Sequence, residues 1–288
     1  MAERLAERLD AVPISADAFQ IYRGLDIGTA KPDDAERYRL LDIKEPHEDF
    51  GVGEWVGLAC AELRSLWKER RSAILVGGTG LYCRALLEGY TALMPPPGEG
   101  LREVLRHREE VEGAKSIQEE LRRLAPEVAD RTDMRNPVRV KRALERVHTK
   151  GEPIRFKLPP YRRLKVRLDP PVEELNARIA DRVLKMMHNG WVQEVARLRG
   201  CGVARSAPSM RAIGYGALWD HLDGRATLEE SIDRIIAETR RYAKRQRTWL
   251  RKEPGAAGLP YFGDSEQAFQ RALQLVALIR DRGNGEVD

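Results

Sequence analysis

The sequence predicts an α/β protein interrupted by an inserted helical subdomain. Three observations carry that expectation. Short apolar segments, Val12-Pro13-Ile14 and Ala73-Ile74-Leu75-Val76, each run into a turn of small residues, as strands of an open parallel sheet do. Amphipathic helical sequence lies between and after them. Two proline-rich breaks, Met94-Pro95-Pro96-Pro97-Gly98 and Leu158-Pro159-Pro160, enclose a highly charged helical stretch.

In chain order, residues 2–10 predict a helix because Ala2, Leu5, Ala6 and Leu9 recur at helical spacing. The strand after it ends on Ser15-Ala16-Asp17. A helical turn carrying Phe19, Ile21 and Tyr22 then stops at Gly24, and Gly28-Thr29-Ala30-Lys31-Pro32 forms a ligand-facing loop. Asp17 thus sits where a strand runs out, and the carboxyl ends of parallel strands face the ligand crevice. Capping the following helix is the other role open to the same carboxylate.

Residues Glu54 to Lys68 give an amphipathic helix. The strand at Ala73 then enters Gly77-Gly78-Thr79-Gly80 and a further helix, which aims backbone N–H groups and the positive helix end at one point suited to a phosphate. Glycines at so tight a turn also serve purely steric ends. Within the insertion, Asn136-Pro137 opens a helix with Val140, Leu144 and Val147 on one face and Arg139, Arg142 and Arg146 on another.

Leu164 to Asp169 predicts a strand returning to the core, followed by a helix in which Arg178 and Arg182 project from one side. Glu174, four residues before Arg178, offers a surface ion pair there. A loop at Ala207 to Gly216 enters another helix. On a later helix Arg240, Lys244, Arg247 and Arg251 share a face beside Tyr242 and Trp249, before a strand at Leu259 to Phe262 and a helix from Glu266 to about Arg280.

Composition narrows the class. The 288 residues are 42% hydrophobic and 33% charged, without the apolar run that would cross a bilayer and without an apolar N-terminal leader, which predicts a cytoplasmic protein. Cys60, Cys83 and Cys201 are too few and too scattered for a disulfide framework or a zinc site and predict buried free thiols. The net charge of +5 conceals an asymmetry. Residues 134–167 hold twelve Lys/Arg against Glu145 and Glu152, and residues 234–252 hold eight against Glu238, leaving the remainder acidic. Concentrated basic charge with aromatics among it points to a polyanion, nucleic acid foremost.

Several stretches occur together and in order: Ser15-Ala16-Asp17, Tyr22 to Pro32, Leu75 to Tyr82, Arg142-Ala143-Leu144-Glu145, Arg211-Ala212-Ile213-Gly214-Tyr215 and Ala243 to Trp249. On these the chain resembles the bacterial tRNA dimethylallyltransferases over roughly residues 2–264. The resemblance implies a P-loop kinase-like parallel-sheet core at 1–95 and 164–288, with a helical tRNA-binding insertion at 96–163. It also implies a monomer that moves a dimethylallyl group from its diphosphate to N6 of adenine 37, in tRNAs reading codons that begin with U, with Mg²⁺.

By the same resemblance Asp17 is the base that takes the amine proton. Arg182, Arg178, Thr79 and the turn Gly77, Gly78, Gly80 meet the diphosphate. The tRNA contacts are Asp17, Ala18, Phe19 and Gln20; Thr79; Arg102; Val138, Arg139, Val140, Lys141 and Arg142; Arg211, Ala212, Ile213, Gly214, Tyr215 and Gly216; and Lys244, Arg245, Gln246, Arg247, Thr248, Trp249, Leu250 and Arg251. The chemistry fits these residue types. A delocalised amine needs a positioned carboxylate, a leaving diphosphate needs Arg and backbone donors, and a base flipped from the anticodon loop needs basic helices on its flanks.

There are departures. The family's Gly-Pro-Thr-x-Ser-Gly-Lys-Ser/Thr phosphate loop would precede Ser15-Ala16-Asp17, and the sequence starts within the helix that follows it. Ala18-Phe19 stands where Ser, often then Arg, is common, and Gly216 where a basic residue is frequent. Two other readings therefore stay open, a tRNA-binding protein of this family that does not transfer and a small-molecule P-loop kinase.

Overall fold

The computed structural model describes residues 1–89, 100–149, 156 and 158–281. The expected break at Met94 to Gly98, with the 95/96 boundary, lies outside the described residues. The chain opens with helix α1 (Ala2–Leu9) and strand β1 (Ala11–Ser15), followed by α2 (Val52–Lys68), β2 (Ser72–Val76) and α3 (Gly80–Leu87). Four helices come next, α4 (Leu101–Glu112), α5 (Ala114–Leu124), α6 (Pro126–Asp130) and α7 (Pro137–His148). Then follow β3 (Lys165–Leu168), α8 (Val172–His188), α9 (Trp191–Gly200), α10 (Tyr215–Leu222), α11 (Leu228–Leu250), β4 (Ala256–Leu259) and α12 (Glu266–Asp281).

Two compact units result. One joins Met1–Glu88 to Leu158–Asp288 and the other is Gly89–Lys157, so the divisions fall several residues before the expected 95/96 and 163/164. In the first unit β1 and β2 run parallel in register, Ala11 opposite Ser72 and Ser15 opposite Val76. Their carboxyl ends therefore finish side by side. Pro13 is tolerated because the backbone groups of Pro13 and Ser15 face the Arg39 segment, where Pro13 accepts from Arg39 N, so the missing N–H costs no bond to β2.

The strands are parallel, as expected, and the described ones form two pairs. β3 pairs with β4, Lys165 opposite Ala256 and Leu168 opposite Leu259. The last strand thus starts at Ala256 rather than Leu259, because register with β3 outweighs the more apolar run after it. The expected helical turn after Asp17 is also absent. Ile21 and Tyr22 turn into the core and Tyr22 makes a single bridge with Lys44, which leaves no room for a helix. That core gathers Ile21, Leu25, Trp191, Val195, Tyr215, Leu218 and Ile235, all 2% exposed or less.

In the other unit Leu105, Ile117, Leu121, Val140, Ala143 and Leu144 form a separate core. Asn136 caps α7 by accepting from Val138 N at 3.1 Å and Arg139 N at 3.3 Å, with Pro137 in the first turn, as the sequence predicts. Of the three thiols, Cys60 is buried, Cys83 half-buried and Cys201 exposed, which corrects the expectation for the last. Burial, with Glu253 adding to it, pushes Cys83 up to about 11, so it is no nucleophile at neutral pH.

Candidate active site

The carboxyl ends of β1 and β2 are tied together at the Gly77–Gly80 turn. Ala16 N donates to Val76 O at 2.7 Å and Thr79 N to Ala16 O at 3.2 Å, while Thr79 Oγ1 accepts from Ala18 N at 3.1 Å. Asp17 stands in the middle of this knot. Its Oδ1 accepts from Phe19 N at 2.8 Å and Gln20 N at 3.3 Å, the hydrogen bonds of a helix cap made on a turn with no helix behind it. Oδ2 takes no hydrogen bond from any described residue.

The glycines explain how closely the pieces approach. A Cβ on Gly77 would lie 2.3 Å from the Ala16 carbonyl oxygen, one on Gly78 2.1 Å from Gln246 Nε2, and one on Gly80 2.5 Å from the Trp249 ring. Steric need is strict at Gly77, where the neighbour is backbone, and slack at Gly78, where it is the end of a flexible side chain. Helix α11 forms the opposing wall, with Gln246 Nε2 donating to Gly78 O at 3.0 Å and the Tyr242 hydroxyl 3.5 Å from the same oxygen.

The remaining wall comes from α8. Arg182 reaches the surface, yet burial of its guanidinium lowers its pKa from the ordinary arginine value, and the charge of Asp17 acts the other way. Burial raises Tyr242, and Asp17 adds to that. The charge of Asp17 is thus felt at both Arg182 and Tyr242. Arg178 sits a turn earlier and is committed elsewhere, its guanidinium 3.8 Å from the Phe262 ring centre and 2.6 Å from Asp264 Oδ2, which displaces the expected Glu174 pairing.

Other expected contacts divide by burial. Val140 and Tyr215 are fully buried and Ala212 is nearly so; these are corrected to core positions, because no RNA group reaches their side chains. Gln20 is spent on the carbonyls of Thr29 and Ala30, and Phe19 packs against the core. Arg247 and Arg251 both pair with Asp169, Arg247 2.7 Å from Oδ1 and Arg251 3.0 Å from Oδ2, and of the arginine face expected on α11 only Arg247 is largely buried while Arg251 stays 55% exposed. Arg240 donates to Asn176 O and stays exposed, as do Lys244, Arg245, Thr248, Trp249 and Arg251.

The Gly28 to Pro32 loop does not present its lysine to a ligand. Lys31 is 5% exposed, bonded to Tyr22 O at 2.7 Å and paired with Asp26 and Asp42. In the helical unit Arg139 and Arg142 are 65% and 53% exposed, Val138 is exposed, Lys141 pairs with Glu109, and Arg102 lies 3.5 Å from Glu145. Arg211 is exposed, Ile213 and Leu250 are half-buried, and Gly216 O accepts from Arg205.

Sequence reasoning missed Glu194. It is 1% exposed and its carboxylate receives the backbone N–H groups of Asp26, Ile27 and Gly28 together with the Tyr215 hydroxyl. Only its place in an amphipathic helix, on the face that Trp191, Val195 and Leu198 bury, could have drawn attention to it.

A carboxylate, an arginine and a glycine turn at the carboxyl ends of parallel strands define a group-transfer site of the α/β type. A family model described as IPP transferase matches residues 20–253, beginning just after Asp17. The tRNA dimethylallyltransferase 1 of Trichlorobacter lovleyi is 42% identical over 275 residues, covering 91% of this chain and 89% of that protein. The tRNA dimethylallyltransferase of Syntrophobacter fumaroxidans is 38% identical over 264 residues, covering 88% and 77%. Among solved structures, the tRNA isopentenylpyrophosphate transferase of Bacillus halodurans superposes with TM-score 0.69 at 32% identity, over 98% of this chain and 92% of that one. A eukaryotic dimethylallyltransferase acting on tRNA shares the fold, with TM-score 0.71 at 20% identity, over 94% and 73%. The chain belongs to the IPP transferase family, whose relatives here are tRNA dimethylallyltransferases.

Proposed function

We infer that this protein is a tRNA prenyltransferase that moves a dimethylallyl group from dimethylallyl diphosphate to N6 of adenine 37, in tRNAs reading codons that begin with U. One observation carries the assignment of roles. Asp17 has one carboxylate oxygen fixed by two backbone N–H groups and the other unbonded by described residues, at the strand ends where Thr79 and the glycine turn converge.

The exocyclic amine is a weak nucleophile because its lone pair is delocalised into the ring. As the N–C bond forms, the amine becomes acidic and Oδ2 of Asp17 takes its proton, a contribution of about 10² to 10⁴ in rate. Charge gathers meanwhile on the leaving diphosphate. Arg182 stands near Asp17 as the cation for that charge, and being partly desolvated it acts more strongly than an arginine in open water.

Mg²⁺ supplies counter-charge to a diphosphate. Among the described residues no group of three or more His, Cys, Asp or Glu could hold a metal ion. Mg²⁺ commonly rests on one or two carboxylates plus substrate phosphates. An ion brought on the donor's phosphates would need no ligand from Asp17, whose Oδ2 stays free for the amine proton.

The tRNA partner is read as an anticodon stem-loop. Arg139 and Arg142 on one unit, and Arg211, Lys244, Arg245 and Thr248 on the other, supply exposed groups for its backbone, and Trp249, 36% exposed, supplies a ring. We take the working protein to be a monomer. The test is a single-turnover incubation of the full-length protein and its Asp17→Ala variant with unmodified tRNA and labelled donor. Asp17→Ala is expected to bind tRNA normally and transfer about 10²-fold or more slowly. Equal rates would return Asp17 to a capping role, and tRNA binding without transfer by the parent would mark a non-transferring member of the family.

A further inference from the structure

Among the described residues Glu194 is the only carboxylate buried in the core, and the proton transfer above makes no use of it. A buried carboxylate is stable only when its lone pairs are filled. Here four donors fill them: Asp26 N at 2.9 Å and Ile27 N at 2.7 Å on Oε2, Gly28 N at 3.3 Å and the Tyr215 hydroxyl at 2.6 Å on Oε1. The Trp191 ring closes over the same loop so tightly that a Cβ on Gly28 would fall 2.2 Å from its Nε1. Glu194 alone takes three consecutive backbone N–H groups of the loop.

What that loop holds in turn is the turn at Asp17. The carbonyls of Thr29 and Ala30 each accept from Gln20 Nε2 at 3.1 Å, and Gln20 Oε1 accepts from the Ser15 hydroxyl at 3.1 Å. The backbone N–H of Gln20, with that of Phe19, then fixes Oδ1 of Asp17. We propose that Glu194 is a positioning residue for the transfer: it pins the loop at residues 26–30 so that Gln20 fixes the turn aiming Asp17 at the amine. This rests on the reading of Asp17 as proton acceptor.

A carboxylate suits the place because all four donors need an acceptor, and Glu194→Gln would turn an NH₂ group toward at least one of them. A misplacement of about 1 Å at a reacting group costs up to about 10²-fold. The experiment compares parent, Glu194→Gln, Gln20→Ala, their double variant, and Val195→Ala, which opens a cavity in the same core and leaves the Glu194 carboxylate and its four donors in place. Single-turnover transfer, tRNA affinity and amide exchange at Phe19 and Gln20 are measured on each.

Glu194→Gln is expected to slow transfer about 10-fold or more, to change tRNA affinity less than about twofold, and to speed exchange at Phe19 and Gln20. The double variant should be no slower than the worse single one, since both cut the same connection. Val195→Ala should melt earlier and transfer at the parent rate. Unchanged exchange at Phe19 and Gln20 in Glu194→Gln, or additive losses in the double variant, overturns the proposal. Should Glu194→Gln fail to fold, Glu194→Asp keeps the charge and shortens the reach, and the same readings decide. A parent without transfer would sink the functional reading alone, and the exchange data would still judge Glu194.

Discussion

Gly77 and Gly78 are neighbours whose replacement should have opposite consequences. At Gly77 a methyl group meets the Ala16 carbonyl oxygen at 2.3 Å, which is backbone of the adjoining strand end and cannot move without displacing Asp17. At Gly78 it meets the amide end of Gln246, a side chain free to rotate away. Gly77→Ala is therefore expected to abolish transfer and lower the melting temperature, whereas Gly78→Ala loses the Gln246 bond and keeps most of its stability. Equal damage in both, seen by thermal melts, would mean the turn is governed by its φ/ψ and not by the approach of Ala16. Arg182→Ala makes a second pair of outcomes: donor KM should rise and transfer slow while tRNA affinity holds, and a loss of tRNA affinity with unchanged donor kinetics would refute the diphosphate role. The place of Asp17 at a strand end was legible from the apolar run before it, whereas the part given to Arg182 came only with the family resemblance. Lys31 was misread, since its partners Tyr22, Asp26 and Asp42 are gathered by the turn and by no periodic pattern.

Helix α11 shows why an element's faces are harder to read than its limits. Its start is written in Thr227 and Glu230, which form a reciprocal cap. Its basic residues look alike in sequence, yet Arg247 and Arg251 serve Asp169, 78 and 82 residues earlier in the chain, whose position at the end of β3 depends on pairing with β4. Burial would raise the Asp169 carboxyl, but the Arg251 hydrogen bond and the charges of Arg247, Arg251 and Arg167 outweigh it and hold the group below its ordinary value. A depressed pKa in the folded state adds stability above the unfolded value, about 3.9, and loses it as the pH falls through the folded one. Urea midpoints of parent and Asp169→Asn should therefore differ most at neutral pH, and the gap should close on acidification below about pH 4. A gap independent of pH would assign the loss to packing and remove the charge from the account.

At the scale of the whole chain, the sequence predicted a charge asymmetry and an inserted helical unit, and both bear on how RNA is held. The order of strands and helices was legible from apolar periodicity; the division of the strands into two pairs was not, because pairing is a long-range choice between equally apolar partners. Charge is where a test at this scale belongs. On α7, Arg139 and Arg142 are mostly exposed, with only distant carboxylates at 3.5 and 3.9 Å, and Arg146 is exposed beside them. Such cations have little to gain from the protein itself and are available to phosphates. If they contact the tRNA backbone, each should steepen the dependence of log affinity on log salt by roughly 0.7 to 0.9, so replacing all three by alanine should flatten the slope by roughly 2 to 3. The control must remove charge from the same unit without removing structure. Arg108 fails that need, since it pairs with Glu120, which is 14% exposed, whereas Arg106 and Lys115 make only local pairs with Glu103 and Glu119. An anticodon stem-loop titrated across a salt series should give the control the parent's slope and the triple variant a flatter one. Parallel lines for all three proteins would mean that the arginine face of α7 is solvated surface, and the grip on tRNA would then fall to Arg211 and the exposed residues of α11.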